Sequence, residues 1–171
     1  MAKAAEGKKK NIHTISFLVA NKPGVLVRVA QVFARRGYNI DALAVSPAYN
    51  PLYSRMTITA QGDPATLDQI IKQAGKLIDV IHAEEHGTID AIHRELALLK
   101  LKSTSANKAI IAKLAKKYRA HIVSDDKETM IIEQTGATDQ LDEFESLLKK
   151  YGVIEMVRSG KLVMAKGKET T

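Results

Sequence analysis

The side chains that most readily do chemistry cluster near the middle of the chain. His82 and His86 are four residues apart, with Glu84 and Glu85 between them, and His93 follows. Histidines at this spacing meet on one face of a helix and can then hold a metal ion. The apolar pattern here instead indicates a strand that runs into a glycine-containing turn, which favours solvent-exposed histidines over a metal site. In a strand the two glutamates point to opposite faces and cannot share a proton.

The charged residues of the second half are explained without a ligand. Asp125 and Asp126 fall where turn residues are expected, and a metal or acid–base pair is the weaker interpretation. The preceding predicted helix carries a basic cluster, which consists of Lys113, Lys116, Lys117 and Arg119. This cluster could contact phosphate or an acidic partner surface, but the acidic residues that follow it favour a solvated helix face.

The common catalytic and nucleotide-binding signatures are absent from the sequence. There is no GxGxxG, GxxxxGK[ST], HExxH or GxSxG pattern. There is also no cysteine, which excludes disulfide scaffolds, thiolate metal sites and a cysteine nucleophile. These absences are consistent with a chain that is not itself an enzyme and that holds no metal or cofactor.

The most informative segment is Asn21-Lys22-Pro23-Gly24-Val25-Leu26, which joins a predicted strand to a predicted helix. Gly24 allows a ligand to approach the backbone closely, and the first N–H groups of the helix lack intrahelical partners and suit a carboxylate. Asn21 adds a side-chain amide that both donates and accepts, and a second amide, Asn39, starts the next predicted strand. The pattern indicates a pocket for a small zwitterion. An ordinary Pro-Gly turn explains the same residues equally well.

Composition excludes several classes of protein. The chain has 171 residues, 45% of them apolar, and a net charge of +7. Residues 1–10 contribute +3 and residues 161–171 contribute +2, so the body is nearly neutral and nucleic-acid binding is not favoured. No apolar run approaches the ~18 residues that span a bilayer, and the start lacks the apolar region of a secretory signal. A cytoplasmic protein without membrane contact is expected.

Apolar periodicity predicts two successive domains of the α+β class, each with the ferredoxin-like βαββαβ order. In the first half a strand over Ile12–Ala20 precedes a helix that ends near Gly37, and Asp63-Pro64 starts a second helix. Alternation from Tyr38 to Val45 places Ile40, Ala42 and Ala44 opposite Leu43 and Val45. Leu18, Leu43 and Val45 are expected to form a second apolar sheet face that needs a cover. The predicted boundaries are a basic flexible extension (1–11), a first domain (12–86), a linker (87–92), a second domain (93–167) and a tail (168–171).

Six segments match the pattern of one known family. They are His13-Thr14-Ile15-Ser16, Asn21-Lys22-Pro23-Gly24-Val25-Leu26, Arg35-Arg36-Gly37-Tyr38-Asn39-Ile40, Ser54-Arg55-Met56-Thr57-Ile58, Gln69–Val80 and Arg94-Glu95-Leu96-Ala97-Leu98. Together they closely resemble the small, regulatory subunit of acetohydroxyacid synthase, also called acetolactate synthase. The resemblance covers nearly the whole chain and is most specific through residue 100. The resemblance is weaker in the second half, where Val157-Arg158-Ser159-Gly160 is similar to the C-terminal segment of the family.

The resemblance implies that the first domain is an ACT domain and that two chains form a homodimer through paired ACT domains. It also implies that L-valine, or else leucine or isoleucine, binds at the interface between them. The effector-site positions of the family fall on Asn21, Gly24, Val25 and Leu26 of one chain, with Pro23 in the same loop, and on Asn39 and Ile40 of its partner.

The resemblance further implies a non-catalytic role in branched-chain amino acid biosynthesis. The chain would bind and activate a large catalytic subunit that carries thiamine diphosphate, Mg²⁺ and FAD, and would make it sensitive to feedback inhibition by valine. Two alternatives come from other functional classes: a free-standing amino-acid sensor that acts on transcription or another enzyme, although no DNA-reading element is visible, and an enzyme with an unrecognised site.

Overall fold

The computed structural model describes residues 11–168 and Thr171. The predicted extension therefore lies outside the described residues except for Asn11, as do residues 169–170 of the predicted tail. The described chain divides into two compact units. The first contains the residues through Ile92 together with those from Val163 onward, and the second is His93–Leu162.

The first unit contains a four-stranded antiparallel sheet in the order β2-β3-β1-β4. Its elements are β1 (Ile12–Ala20), α1 (Val25–Arg35), β2 (Ala42–Pro47), β3 (Tyr53–Gln61), α2 (Pro64–Ala74) and β4 (Val80–Glu85). This is the predicted βαββαβ order. Asp63 caps α2 as its sequence position predicts, because its side chain accepts a hydrogen bond from the Thr66 backbone at 2.9 Å.

One face of the first sheet holds the core. Ile15, Phe17 and Val19 occupy alternate positions of β1 and are almost completely buried with the apolar stripes of α1 and α2. Alternation along a strand and spacing of three or four along a helix direct these side chains to the same layer. The core is aliphatic apart from Phe17 and Phe33, as the low aromatic content predicts.

The predicted second apolar face is wrong for two of its three residues. Leu43 pairs with Ile58 and Val45 with Met56, so both lie on the core side of the sheet, and only Leu18 lies on the other face. Ile40 had suggested the opposite alternation, but it precedes β2 and reaches the core from outside the strand. The other face instead carries four buried hydroxyl side chains, those of Thr14, Ser16, Thr57 and Thr59.

The second unit repeats the strand order, as β6-β7-β5-β8, with β9 pairing to β5. Its elements are β5 (Ala91–Lys102), α3 (Lys108–Lys117), β6 (His121–Asp125), β7 (Thr129–Gly136), α4 (Thr138–Leu148), a 3-10 turn (Lys149–Tyr151) and β8 (Val153–Arg158). Two strands cross the division between the units: the first two residues of β5 and all but the first residue of β9 (Leu162–Ala165) belong to the first unit. β5 begins within the predicted linker. The core of this unit lies between the helices and the alternate residues Ala97, Leu99 and Leu101.

Candidate functional site

The loop between β1 and α1 holds the predicted site residues of one chain. Gly24 adopts a left-handed conformation with φ of +83° and forms the N-cap of α1, where no side chain caps the helix. The first N–H groups of a helix have no intrahelical acceptor, and at this exposed end the Val25 N–H makes only a long hydrogen bond of 3.5 Å to the Lys22 carbonyl. The positive end of the helix dipole adds to their attraction for an anion.

Asn21 ties this loop to the turn that follows β2. Its side-chain amide donates to the Pro51 carbonyl at 3.0 Å, and its backbone N–H donates to the Leu52 carbonyl at 2.8 Å. The donor half of the amide is therefore used internally, and the oxygen is the half that is left for a ligand. The contacts fix the position of the loop relative to the start of β3.

The two apolar residues that begin α1 have different surroundings. Val25 is 3% exposed and belongs to the core of the first unit, so its side chain is not open to a ligand. Leu26 is 40% exposed, so its side chain, like that of the neighbouring Val27, can contact an aliphatic ligand. Pro23 is exposed beside them.

Asn39 and Ile40 lie at the opposite end of the same sheet. The backbone of Asp41 donates to the Thr59 carbonyl, whereas β1 ends where Ala20 pairs with Tyr53. Tyr53 and Thr59 are six residues apart on β3, which corresponds to about 20 Å. One chain therefore does not bring the two halves of the predicted site together.

Arg28 and Asp79 lie beside Gly24, and sequence reasoning missed both. Arg28 Nη2 is 2.5 Å from Asp79 Oδ2, and its Nη1 lies 3.2 Å from the position that a Cβ on residue 24 would take. The Asp79 side chain is 14% exposed. A cation in the first turn of a helix opposes the helix dipole, and this was the signal available in the sequence.

The histidines of the first unit bind neighbouring side chains. His82 Nε2 is 3.1 Å from Glu84, His86 Nε2 is 2.6 Å from the Ser16 hydroxyl, and a residue outside the predicted cluster, His13, contacts Glu85 at 2.6 Å. Within the part of the chain that the structure describes, no group of three potential ligands is placed to hold a metal ion. The register confirms that Glu84 and Glu85 face opposite sides of β4.

The corresponding loop of the second unit is closed by its own side chains. The Thr104 backbone donates to Asn107 Oδ1 at 2.8 Å, and the Asn107 side chain donates to the Lys102 carbonyl at 3.0 Å. No glycine occurs between Lys102 and α3. An amide side chain thus binds the loop before α3, whereas no side chain caps the start of α1.

The charged groups of the second unit also have local partners. Lys108 pairs with Asp125 at 2.8 Å, and Asp126 accepts from the Ser124 hydroxyl at 3.2 Å, so both aspartates act in the β6–β7 turn. Arg158 donates to Glu95 through Nη2 at 2.6 Å and also contacts Asp142. This buried ion pair joins two segments of the resemblance but was not predicted.

Two protein families match the chain in succession. The family described as AHAS small subunit-like ACT domain matches residues 15–82, and the family described as small subunit of acetolactate synthase matches residues 94–167. The chain belongs to the acetolactate synthase small-subunit family. Its first unit is accordingly an ACT domain, as predicted.

Relatives in this family match the chain along almost all of its length. The probable acetolactate synthase small subunit of Archaeoglobus fulgidus is 42% identical over 155 residues, which cover 91% of this chain and 97% of the relative. The acetolactate synthase small subunit of Mycolicibacterium smegmatis is 39% identical over 155 residues, 91% of this chain and 91% of the relative.

A solved structure from the same family agrees with the fold of this chain. The crystal structure of the Thermotoga maritima acetolactate synthase small subunit is 37% identical, has a TM-score of 0.83, and covers 93% of this chain and 99% of that chain. No helix of the described residues is long and apolar enough to cross a membrane.

Proposed function

We propose that this small subunit is the non-catalytic, valine-sensing regulator of an acetolactate synthase. In this role it binds a large subunit that carries thiamine diphosphate, Mg²⁺ and FAD, raises its activity, and makes it subject to feedback inhibition. Family membership along both units supports the partnership. The open, glycine-capped start of α1 is the observation that carries the ligand proposal.

The chemistry of this loop fits an amino acid. The ligand carboxylate binds the backbone N–H groups between Gly24 and Leu26, where the helix dipole and the missing Cβ favour an anion close to the backbone. The Asn21 oxygen accepts from the ligand ammonium, since the amide nitrogen is already bound to Pro51. Leu26 contacts the branched aliphatic side chain.

A second copy of the chain completes this pocket. β2 is an edge strand of the first sheet, so its outer backbone groups are open to pairing. When two β2 strands pair antiparallel about a two-fold axis, the start of each strand meets the end of the other. Asn39 and Ile40, which precede β2, then approach the α1 loop of the partner and supply the half of the pocket that one chain lacks.

Ligand binding at such an interface changes how the two ACT domains pair. Valine inhibits only if it binds the arrangement found in the inhibited complex more tightly than the active one. A coupling free energy of ~1–3 kcal/mol is typical of such regulation. Leucine and isoleucine differ from valine by one methylene, which an aliphatic pocket distinguishes by only ~1–3 kcal/mol.

The test is calorimetric titration of the full chain with L-valine, alone and with the acetolactate synthase catalytic subunit of the same organism. Stereospecific binding is expected, with D-valine as the control ligand. Gly24→Asp should abolish binding, because its carboxylate occupies the anion position. Gly152→Asp is the matched control, since Gly152 has φ of +81° and lies in the other unit.

Two results contradict this function. Unchanged valine binding by Gly24→Asp excludes the α1 loop as the site. Valine binding without any association with, or effect on, the catalytic subunit favours the free-standing sensor instead.

A further inference from the structure

The Arg28–Asp79 pair lies at the edge of the α1 loop but has no part in the pocket described above. We propose that the Arg28 guanidinium is a further binding group for the effector carboxylate and that Asp79 is its positioning residue. This inference rests on the proposed function, because it concerns the same loop and the same ligand.

The two terminal nitrogens of the Arg28 guanidinium have different surroundings. Nη2 donates to Asp79 at 2.5 Å. Nη1 stands 3.2 Å from the position that a Cβ on residue 24, the glycine that opens the loop, would take. Within the described residues Nη1 has no carboxylate or carbonyl partner. A carboxylate seated on the N–H groups after Gly24 therefore has a fixed cationic donor beside it.

Asp79 is suited to hold this donor in place. Its side chain is only 14% exposed, while that of Arg28 is 44% exposed, so the carboxylate is the anchored member of the pair. The Asp79 backbone carbonyl also accepts from the Ala20 N–H at 2.8 Å, at the end of β1. The anchor is thus tied to the strand that leads into the effector loop.

The position of Arg28 is otherwise unfavourable. It lies in the first turn of α1, where the helix dipole disfavours a cation and where no acidic side chain is present. A local departure from helix rules is expected where a residue serves binding rather than stability. An anionic ligand at the helix start turns this unfavourable charge into a favourable one.

The pair also adds to the cost of a side chain at residue 24. Any Cβ at residue 24 meets Nη1 at less than ordinary contact distance and is strained by the positive φ. An aspartate at this position brings its carboxylate within reach of the guanidinium and competes with both Asp79 and the ligand.

The experiment compares two ligands that differ only at the carboxyl group. L-valine and L-valinamide are titrated into the full chain carrying Arg28→Gln, Asp79→Asn or both. Arg28→Gln should weaken L-valine about tenfold, the usual effect of one charge-assisted hydrogen bond, and leave L-valinamide unchanged. Asp79→Asn should weaken L-valine less, and the double variant no more than Arg28→Gln alone, because Asp79 acts through Arg28.

A merely structural role predicts a different result. Loss of a structural ion pair weakens both ligands equally and lowers the melting temperature of the chain. Lys72→Gln and Asp68→Asn serve as controls, since they break an exposed ion pair of 2.6 Å on α2 of the same unit. Both should leave the ratio of the two affinities unchanged.

The outcomes separate the inference from the proposed function. If wild-type chain binds L-valine and Gly24→Asp does not, but Arg28→Gln weakens both ligands equally or neither, the role of Arg28 is excluded and the function stands. If the wild-type chain binds no valine even with the catalytic subunit, both proposals fail.

Discussion

The Tyr38 hydroxyl donates to Asp63 Oδ2 at 2.6 Å, while Asp63 Oδ1 caps α2 by accepting from the Thr66 backbone. These hydrogen bonds stabilise the ionised carboxylate and lower the pKa of Asp63 from 3.8 to about 2, with Tyr38 the largest cause. One carboxylate thereby links the end of α1 to the start of α2.

Protonation of Asp63 at low pH should remove the stabilisation that its ionised carboxylate gives to the folded chain. Because the pKa of Asp63 is lower in the folded chain, its stabilisation is complete above about pH 4 and is lost as the pH falls towards 2. Circular dichroism melting curves between pH 2 and 7 should show a smaller loss of stability for Asp63→Asn than for wild type. Parallel curves would contradict the assignment.

Gly62→Ala should destabilise the first unit. A Cβ at residue 62 overlaps the Tyr38 ring, so the ring that holds Asp63 must move. Overpacking of this kind costs about 1–3 kcal/mol in unfolding free energy. Gly87→Ala is the matched control, because its Cβ meets nothing within 4 Å. Urea unfolding measures both, and equal stabilities would exclude the overlap.

Arg158→Ala should be among the most damaging single substitutions in the second unit. The Glu95 side chain is 6% exposed and also accepts from the Thr138 hydroxyl, so removing Arg158 leaves a buried charge without its cation. The expected loss is about 3 kcal/mol. Lys100→Ala, which breaks the more exposed pair with Glu155, should cost less than about 1 kcal/mol. Chemical denaturation compares the two variants, and similar losses would contradict a special role for the buried pair.

A mixture of two defective variants tests whether the effector pocket is shared between chains. Gly24→Asp damages the loop half and Asn39→Ala damages the partner half. In a heterodimer one pocket carries both defects and the other carries none. Refolding an equal mixture should therefore restore about a quarter of the wild-type valine sites, since half of the dimers are mixed. Titration of each variant alone should give none, and a mixture without recovery would place both residues in one chain's pocket.

Local patterns were sufficient to predict much of the first unit. The predicted span of β1 is the observed Ile12–Ala20, and the Asp63 cap is where the Asp-Pro pair placed it. Both depend on neighbouring residues alone. The face of Leu43 was predicted wrongly because strand alternation was extended through Ile40, which lies outside β2.

Contacts between distant segments were not accessible from spacing. Arg28 and Asp79 are separated by 51 positions, and Glu95 and Arg158 by 63. Each pair forms only when separate elements pack together. The periodicity of apolar residues, two in strands and 3.6 in helices, therefore does not predict it. The candidate loop could be found from its glycine and asparagine, but the charged residue beside it required the fold.

The self-closed loop before α3 has a consequence for the shape of the response to ligand. Because the Asn107 side chain is bound to its own loop before α3, the second unit offers no second open loop, and each chain is expected to supply one ligand-binding loop rather than two. A dimer then takes up two ligands, and its Hill coefficient cannot exceed about two. The response to the effector is therefore expected to rise gradually with ligand concentration rather than over a narrow concentration range.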